Sequence, residues 1–85
     1  MNGYDKGRLA VSKAGHDQGN VYVIIGADEA YVYLADGKIR TLEHPKKKKR
    51  KHVQLILRKF DISGADNTAV KRILKEWKNK EEKKS

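Results

Sequence analysis

The sequence predicts a small, mainly β protein, built as a five-stranded barrel or curled antiparallel sheet with one C-terminal α-helix. Three observations predict it. A chain of 85 residues allows one domain. Its first sixty residues alternate between apolar and polar side chains in short runs separated by turn signals, whereas residues 61–85 change to a helical period. Curling five short strands is one way to remove exposed sheet edges.

Three strands are predicted before residue 36. Residues 9–12 alternate with period two, and residues 21–25 (VYVII) are rich in the β-branched and aromatic side chains that strands favour. Residues 30–35 (AYVYLA) place Tyr31 and Tyr33 on one face. We favour packing over base stacking for these two tyrosines and for Tyr22, because aromatic residues on short strands usually fill or cover a small core.

A hairpin is predicted next. Asp36-Gly37 between two strand-like runs is a strong signal for a tight turn, since a type I′ turn needs positive φ at both central residues. Residues 38–43 are therefore predicted to be the partner strand. Pro45 would end the ladder.

The run Lys46–Lys51 (KKKKRK) is predicted to be an exposed loop, because six adjacent cations repel one another. Residues 52–57 alternate again and are predicted to be the fifth strand.

One amphipathic helix is predicted after residue 60. Its apolar stripe follows the i, i+3, i+4, i+7 spacing and consists of Val70, Ile73, Leu74 and Trp77. Ser63 with Asp66 resembles a capping box, and Asp66 or Asn67 are alternative N-caps. We expect the helix and the charged tail, residues 61–85, to pack on the strands of residues 1–60 as one domain.

Composition excludes several classes of protein. The chain is 36% charged, and no run approaches the roughly 20 apolar residues of a membrane span. No apolar segment near the N-terminus resembles a signal peptide. Without cysteine there is no disulfide framework, zinc ribbon or thiol catalysis, and no other catalytic constellation, metal site or cofactor motif is recognisable. We expect a binding protein rather than an enzyme.

The positive charge is concentrated in one segment. The chain carries a net charge of +9; residues 1–43 have a net charge of −1, residues 44–60 of +8 and residues 61–85 of +2. A concentrated basic stripe is typical of a protein that binds a polyanion. Nucleic acid is the first candidate, and an anionic membrane surface is the second.

A glycine loop, residues 14–20 (AGHDQGN), separates the first two predicted strands. Alone, it reads as a turn whose glycines supply positive φ, and it is not a P-loop because no Gly-Lys-Ser/Thr ends it. Together with the strands on both sides, it resembles the KOW motif. The matching residues are Leu9, Val11, Gly15, Asp17, Gly19, Val21 and Val23.

Over residues 8–77 the order of motifs is similar to the archaeal and eukaryotic-type family of large-subunit ribosomal protein fourteen and its small bacterial relatives. The motifs are VSKAGHDQG at 11–19, the strand at 21–25, the tip at 35–37, the basic run before residues 52–55, and residues 60–66. This resemblance implies an SH3-like barrel of the KOW type that binds ribosomal RNA. It implies a cytoplasmic, ribosome-associated protein, a monomer away from the ribosome, with neighbouring ribosomal proteins as further partners.

The predicted RNA contacts combine the glycine loop with the basic run. Glycine-loop N–H groups and histidine rings would contact phosphates or bases, and cations would neutralise phosphates without reading sequence. The residues are Lys13, Gly15, His16, Asp17, Gly19, Arg40, Lys46, Lys47, Lys48, Lys49, Arg50, Lys51 and His52.

Two alternatives stay open. SH3-like barrels also bind peptides, so the basic run would then hold an acidic protein partner. The run also imitates a nuclear localisation signal, which would suit a nuclear nucleic-acid-binding regulator.

Overall fold

The computed structural model describes the backbone of residues 4–83 and the side chains of residues 4–80. Five strands precede one helix. They are β1 (Arg8–Ser12), β2 (Val21–Ala27), β3 (Tyr31–Ala35), β4 (Lys46–Lys49), β5 (Val53–Lys59) and the helix α1 (Asn67–Lys83), with a 3-10 turn, Arg50–His52, between β4 and β5. The last two residues of the expected tail lie outside the described residues.

All five strands form one antiparallel sheet in the order β4-β3-β2-β1-β5. The prediction of a mainly β chain with a five-stranded antiparallel sheet and a C-terminal helix is confirmed. The sheet is open rather than closed, since β4 and β5 are its two edges and do not pair within the described residues.

The sheet is buried on both faces. On the inner face, buried side chains from the strands pack together in one cluster, which consists of Ala10, Tyr22, Ile24, Val32, Leu34 and Val53. The outer face is covered in part by α1, and its buried residues are Leu9, Val23, Ala35 and Val70. Two apolar layers therefore hold a small chain together. Alternate residues of the strands contribute to both layers, and Val70 of α1 completes the outer one.

The helix packs through the stripe that its spacing predicts. Val70 is fully buried, and Ile73, Leu74 and Trp77 pack against the outer-face cluster. Asp66 is the N-cap, because its Oδ1 accepts the Ala69 N–H at 2.9 Å. Of the alternatives, Asp66 is thus correct and Ser63 is not. In the part of the chain that the structure describes, no helix has the length and hydrophobicity needed to cross a membrane.

The fifth strand breaks the alternation that its sequence suggests. Ala10 pairs with Leu55 but Arg8 pairs with Lys59, so the register shifts between them. Such a bulge turns the following side chains away from their expected faces. Leu57, which the alternation places with Leu55, is 95% exposed as a result.

The predicted strand at residues 38–43 is wrong, because the residues after β3 form a turn that packs on the helix. Asp36 Oδ1 accepts the N–H groups of Lys38 and Arg40, both at 2.8 Å. Gly37 adopts a φ of 78°, and a Cβ there would overlap the carbonyl oxygen of Asn67. The glycine therefore serves a close approach of the helix rather than a hairpin tip.

The predicted loop over residues 46–51 is also wrong. Lys46–Lys49 is an edge strand that pairs with β3, with Lys46 opposite Leu34 and Lys49 opposite Tyr31. Pairing with β3 satisfies the backbone groups on one side of β4, and the pleat sends neighbouring cations to opposite faces. Like charges are thereby separated without leaving the sheet.

Candidate nucleic-acid interface

The basic strand β4 has two chemically different sides. Lys46 and Lys48 are partly buried, whereas Lys47 and Lys49 are exposed. Residues directly opposite in an antiparallel pair share a face. Lys46 and Lys48 therefore lie on the inner side, and Lys47 and Lys49 on the outer side.

On the inner side both lysines meet Asp17 of the glycine loop. Lys48 Nζ lies 2.9 Å from Asp17 Oδ1, and Lys46 Nζ lies 3.5 Å from Oδ2. The site is largely shielded from water, since the Lys48 and Asp17 side chains are only 10% and 13% exposed. Ser12 Oγ donates to Oδ1 at 2.9 Å and the Tyr22 hydroxyl donates to Oδ2 at 3.3 Å.

This environment keeps Asp17 ionised. Burial acts to raise the pKa of the Asp17 carboxyl, but hydrogen bonds from Lys48 and Ser12 and the charges of Lys46 and Lys48 outweigh it, so the pKa lies well below its usual range. The same carboxylate acts on its neighbour. The pKa of the Tyr22 hydroxyl is raised by burial and further by Asp17, although a hydrogen bond with Asn20 acts in the opposite direction.

Asp17 connects two elements that the sheet does not join. Strand β4 pairs only with β3 in the described sheet, yet Lys48 Nζ reaches Asp17 and also donates to the Ala14 carbonyl oxygen at 2.8 Å. An ion pair and its hydrogen bonds thus hold the basic strand against the glycine loop. The charged residues that sequence reasoning assigned to RNA include a set with this structural role.

Several backbone N–H groups of the glycine loop are already engaged in hydrogen bonds within the protein. Gly15 and Gly19 adopt φ values of 83° and 91°, which favour glycine. The Gly19 N–H donates to the Ser12 carbonyl oxygen at 2.8 Å, so it is not available to a phosphate. Within residues 4–83, four N–H groups of the glycine loop donate to no acceptor and are left for a ligand, those of Ala14, Gly15, His16 and Asp17.

The outer side of the sheet next to β4 carries aromatic rings and cations together. The residues of this lysine–tyrosine face are Tyr31, Tyr33, Lys47 and Lys49, which pair across β3 and β4. Lys47 Nζ lies 4.3 Å from the centroid of the Tyr31 ring, a cation–π contact. The helix does not cover this face, so half-buried rings and exposed ammonium groups share one open surface.

Asp28 fixes the edge of the lysine–tyrosine face. Its Oδ1 accepts the Tyr31 N–H at 2.8 Å, and its Oδ2 accepts the Tyr33 hydroxyl at 3.1 Å. The Tyr31 and Ala30 N–H groups, with the Tyr33 hydroxyl, lower the pKa of Asp28. The hydrogen bond to Asp28 in turn raises the pKa of Tyr33 and orients its ring.

The three tyrosines differ in role. Packing is confirmed for Tyr22, which is 4% exposed. Tyr31 and Tyr33 instead belong to the lysine–tyrosine face, which sequence reasoning missed because it interpreted residues 46–51 as a loop. The signal that would have found this face is the pairing of β3 with β4. Once this pairing is known, the odd-numbered residues of both strands fall on one side of the sheet.

The remaining predicted residues are distributed around this region. Lys13, His16 and Lys51 are exposed, and the Lys13 N–H donates to the carbonyl oxygen of half-buried His52 at 2.7 Å. Arg50 stacks on the Tyr4 ring, with its guanidinium carbon 4.5 Å from the ring centroid.

Arg40 is placed by a different element. It closes the turn after β3, where its carbonyl oxygen accepts the N–H groups of Asp36 and Gly37. That turn contacts α1 through Gly37, and no contact in the described residues joins the Arg40 side chain to the glycine loop or to β4.

Neither family models nor curated proteins match this chain. Among the described residues, no three carboxylate or imidazole side chains are grouped as metal ligands would be.

Proposed function

We propose that this chain is an RNA-binding protein with an SH3-like barrel of the KOW type, ribosomal or ribosome-associated, and located in the cytoplasm. The observation that carries the proposal is the lysine–tyrosine face on β3 and β4, with the glycine loop held against the inner side of β4. Exposed cations interleaved with aromatic rings suit nucleic acid, since ammonium groups neutralise phosphates and rings stack on bases. The resemblance in motif order supports large ribosomal RNA as the partner.

In this mechanism the two sides of β4 have separate tasks. Asp17, Lys46 and Lys48 hold the glycine loop in place, while Lys47 and Lys49 neutralise phosphates. Gly15 and His16 offer backbone N–H groups to a phosphate at the same edge. Recognition is by the shape and backbone of folded RNA rather than by base sequence. The protein acts by binding, not by catalysis.

The internal ion pairs disfavour the import-signal interpretation. A receptor that reads a basic run needs consecutive side chains in an extended, accessible segment, but Asp17 engages Lys46 and Lys48. An acidic peptide remains a competing partner for the same cations, and the test must separate it from RNA.

A salt titration tests the proposal. Binding of the full chain to a fluorescein-labelled RNA hairpin is followed by anisotropy from about 50 to about 200 mM salt, the range over which phosphate contacts weaken most visibly. Lys47→Gln/Lys49→Gln should lower the slope of log affinity against log salt by about 2, because each lost phosphate contact accounts for about 0.9. The control Lys6→Gln/Lys80→Gln removes the same charge from exposed sites elsewhere.

Three results would contradict the proposal: no binding of the hairpin, binding without salt dependence, or equal effects of both variants. Tighter binding of polyglutamate than of RNA would favour the acidic-partner alternative. Absence of the protein from large ribosomal subunits at moderate salt would remove the ribosomal assignment while leaving RNA binding intact.

A further inference from the structure

A second cationic surface lies where the glycine loop, the turn after β3 and the helix α1 meet. An open groove of about 770 Å³ runs between the glycine loop, the turn after β3 and the helix α1. Gly19 and Asn20 form the edge of this helix groove, whereas Gly15, nearer the start of the loop, lies beside Lys48 of β4.

The charge of the helix groove is strongly positive. Its lining includes five exposed cations and one carboxylate, and the cations are Lys38, Lys71, Arg72, Lys75 and Lys78. None of the five forms an ion pair with any residue whose side chain is described. The carboxylate, Asp36, already accepts two backbone N–H groups. Asp36 forms no ion pair with these cations, so the described groove keeps a clear excess of positive charge.

The cations follow a regular spacing along the helix. Lys71, Lys75 and Lys78 are separated by four and three residues, which places them about 6 Å and about 4.5 Å apart along the axis on one side. A row of ammonium groups at this interval suits a chain of regularly repeated negative charges.

The wall of the groove is apolar and aromatic. Trp77 lines it together with Leu74 and Val21. Trp77 is half-buried, since part of its ring packs on the outer-face cluster. A cationic rim over an aromatic wall is the arrangement that holds unpaired nucleotides, with phosphates on the rim and bases on the wall.

We infer that the helix groove binds a single-stranded RNA segment next to the folded RNA held by the lysine–tyrosine face. The inference rests on the proposed function and adds a second site to it. Because β3 carries Tyr31 and Tyr33 of the lysine–tyrosine face and leads directly to Asp36 at the groove, one RNA with a paired stem and an unpaired extension occupies both sites together. An acidic peptide is the alternative occupant, but it would leave the aromatic wall without a stacking partner.

Trp77 makes the groove directly observable. It is the only tryptophan of the chain, so tryptophan emission, excited selectively over that of the four tyrosines, reports on the groove. The experiment compares an RNA hairpin with the same hairpin carrying an unpaired 3′ extension, using the full chain. The extension should raise affinity about fivefold or more, the effect of a single base–aromatic stack, and should quench Trp77.

Charge variants then assign the effect. Lys75→Gln/Lys78→Gln should reduce the gain from the extension and lower the salt slope for the extended RNA by about 1.4, since each single-strand phosphate contact accounts for about 0.7. Lys47→Gln/Lys49→Gln should weaken binding of both RNAs and leave the relative gain intact. The control Lys6→Gln/Lys80→Gln should change neither. Circular dichroism establishes that each variant is folded.

Distinct failures separate the two proposals. If the hairpin binds but the extension changes neither affinity nor Trp77 fluorescence, the helix groove is not an RNA site and the proposed function stands. If neither RNA binds, both the proposed function and the inference about the helix groove are wrong. If polyglutamate quenches Trp77 through Lys75 and Lys78 while the RNA extension does not, the groove is a peptide site and the inference is overturned.

Discussion

Asp17→Asn should destabilise the fold more than any other conservative change at a charged residue in the glycine loop or β4. The amide keeps the shape of the side chain and one acceptor oxygen but removes the negative charge. Lys48, only 10% exposed, would then keep its charge beside a neutral amide and the Ala14 carbonyl oxygen. Loss of a charged hydrogen bond in a shielded site costs about 2 to 3 kcal/mol.

That loss is large for a small domain. At about 4 to 8 °C per kcal/mol, the melting temperature should fall by about 10 to 20 °C. Urea denaturation followed by circular dichroism measures the free energy of unfolding directly. Asp5→Asn is the matched control, because Asp5 pairs with Lys59 at 3.7 Å in a far more exposed setting and should cost under about 1 kcal/mol.

The difference between wild type and Asp17→Asn should depend on pH in a defined direction. Because the folded pKa of Asp17 lies below its ordinary value of 3.8, the stabilisation is complete above that value and is lost as the pH falls toward the folded pKa. The difference should therefore shrink by about 1 kcal/mol between about pH 5 and about pH 3. A cost below about 0.5 kcal/mol, or a gap that does not change with pH, would refute the role assigned to Asp17.

Three further changes test the packing around the candidate sites by urea denaturation. Gly37→Ala should cost about 2 kcal/mol more than Gly19→Ala, because both have positive φ but only Gly37 faces the Asn67 backbone; equal costs would contradict the close approach of the helix. Val70→Ala should cost about 2 kcal/mol by leaving a cavity under the helix, and a neutral result would mean that the helix is not docked there. Leu57→Gln should change the free energy of unfolding by less than about 0.5 kcal/mol, because the side chain is exposed, and a larger loss would mean that Leu57 is buried.

Local signals predicted the parts of the fold that local physics determines. Alternation predicted the existence of four strands, although β5 departs from it after its bulge, and the helix follows its apolar stripe, because each pattern needs one buried face. The two failures depend on distant residues. Asp36-Gly37 reads as a hairpin tip until the start of α1, some thirty residues later, occupies the space that a glycine leaves open.

The sequence predicted which residues belong to the candidate site but not how they are arranged. The basic run was correctly singled out as the main excess of charge, yet six cations gave no hint of their partner. That partner is Asp17, about thirty residues earlier in the chain. Its carboxylate pairs with Lys46 and Lys48 and so offsets the cost of turning two lysines toward the inner face. Once β4 is a strand, its pairing with β3 brings Tyr31 and Tyr33 beside Lys47.

The uniform composition of β4 leaves its alignment with β3 undetermined by its own side chains. Sliding this strand by one residue normally exchanges the inward and outward sets, but here a lysine would replace a lysine at nearly every position. The alignment must be imposed from the ends, and Arg50 supplies one anchor, since its N–H donates to the Ala30 carbonyl oxygen at 2.9 Å and its guanidinium stacks on Tyr4. Insertion of a single lysine in this run would thus preserve both the shielded ion pairs and the exposed cations, provided that Arg50 keeps its place. Loss of a lysine would instead move Pro45 to the position of Lys46 and remove the ion pair of that lysine with Asp17.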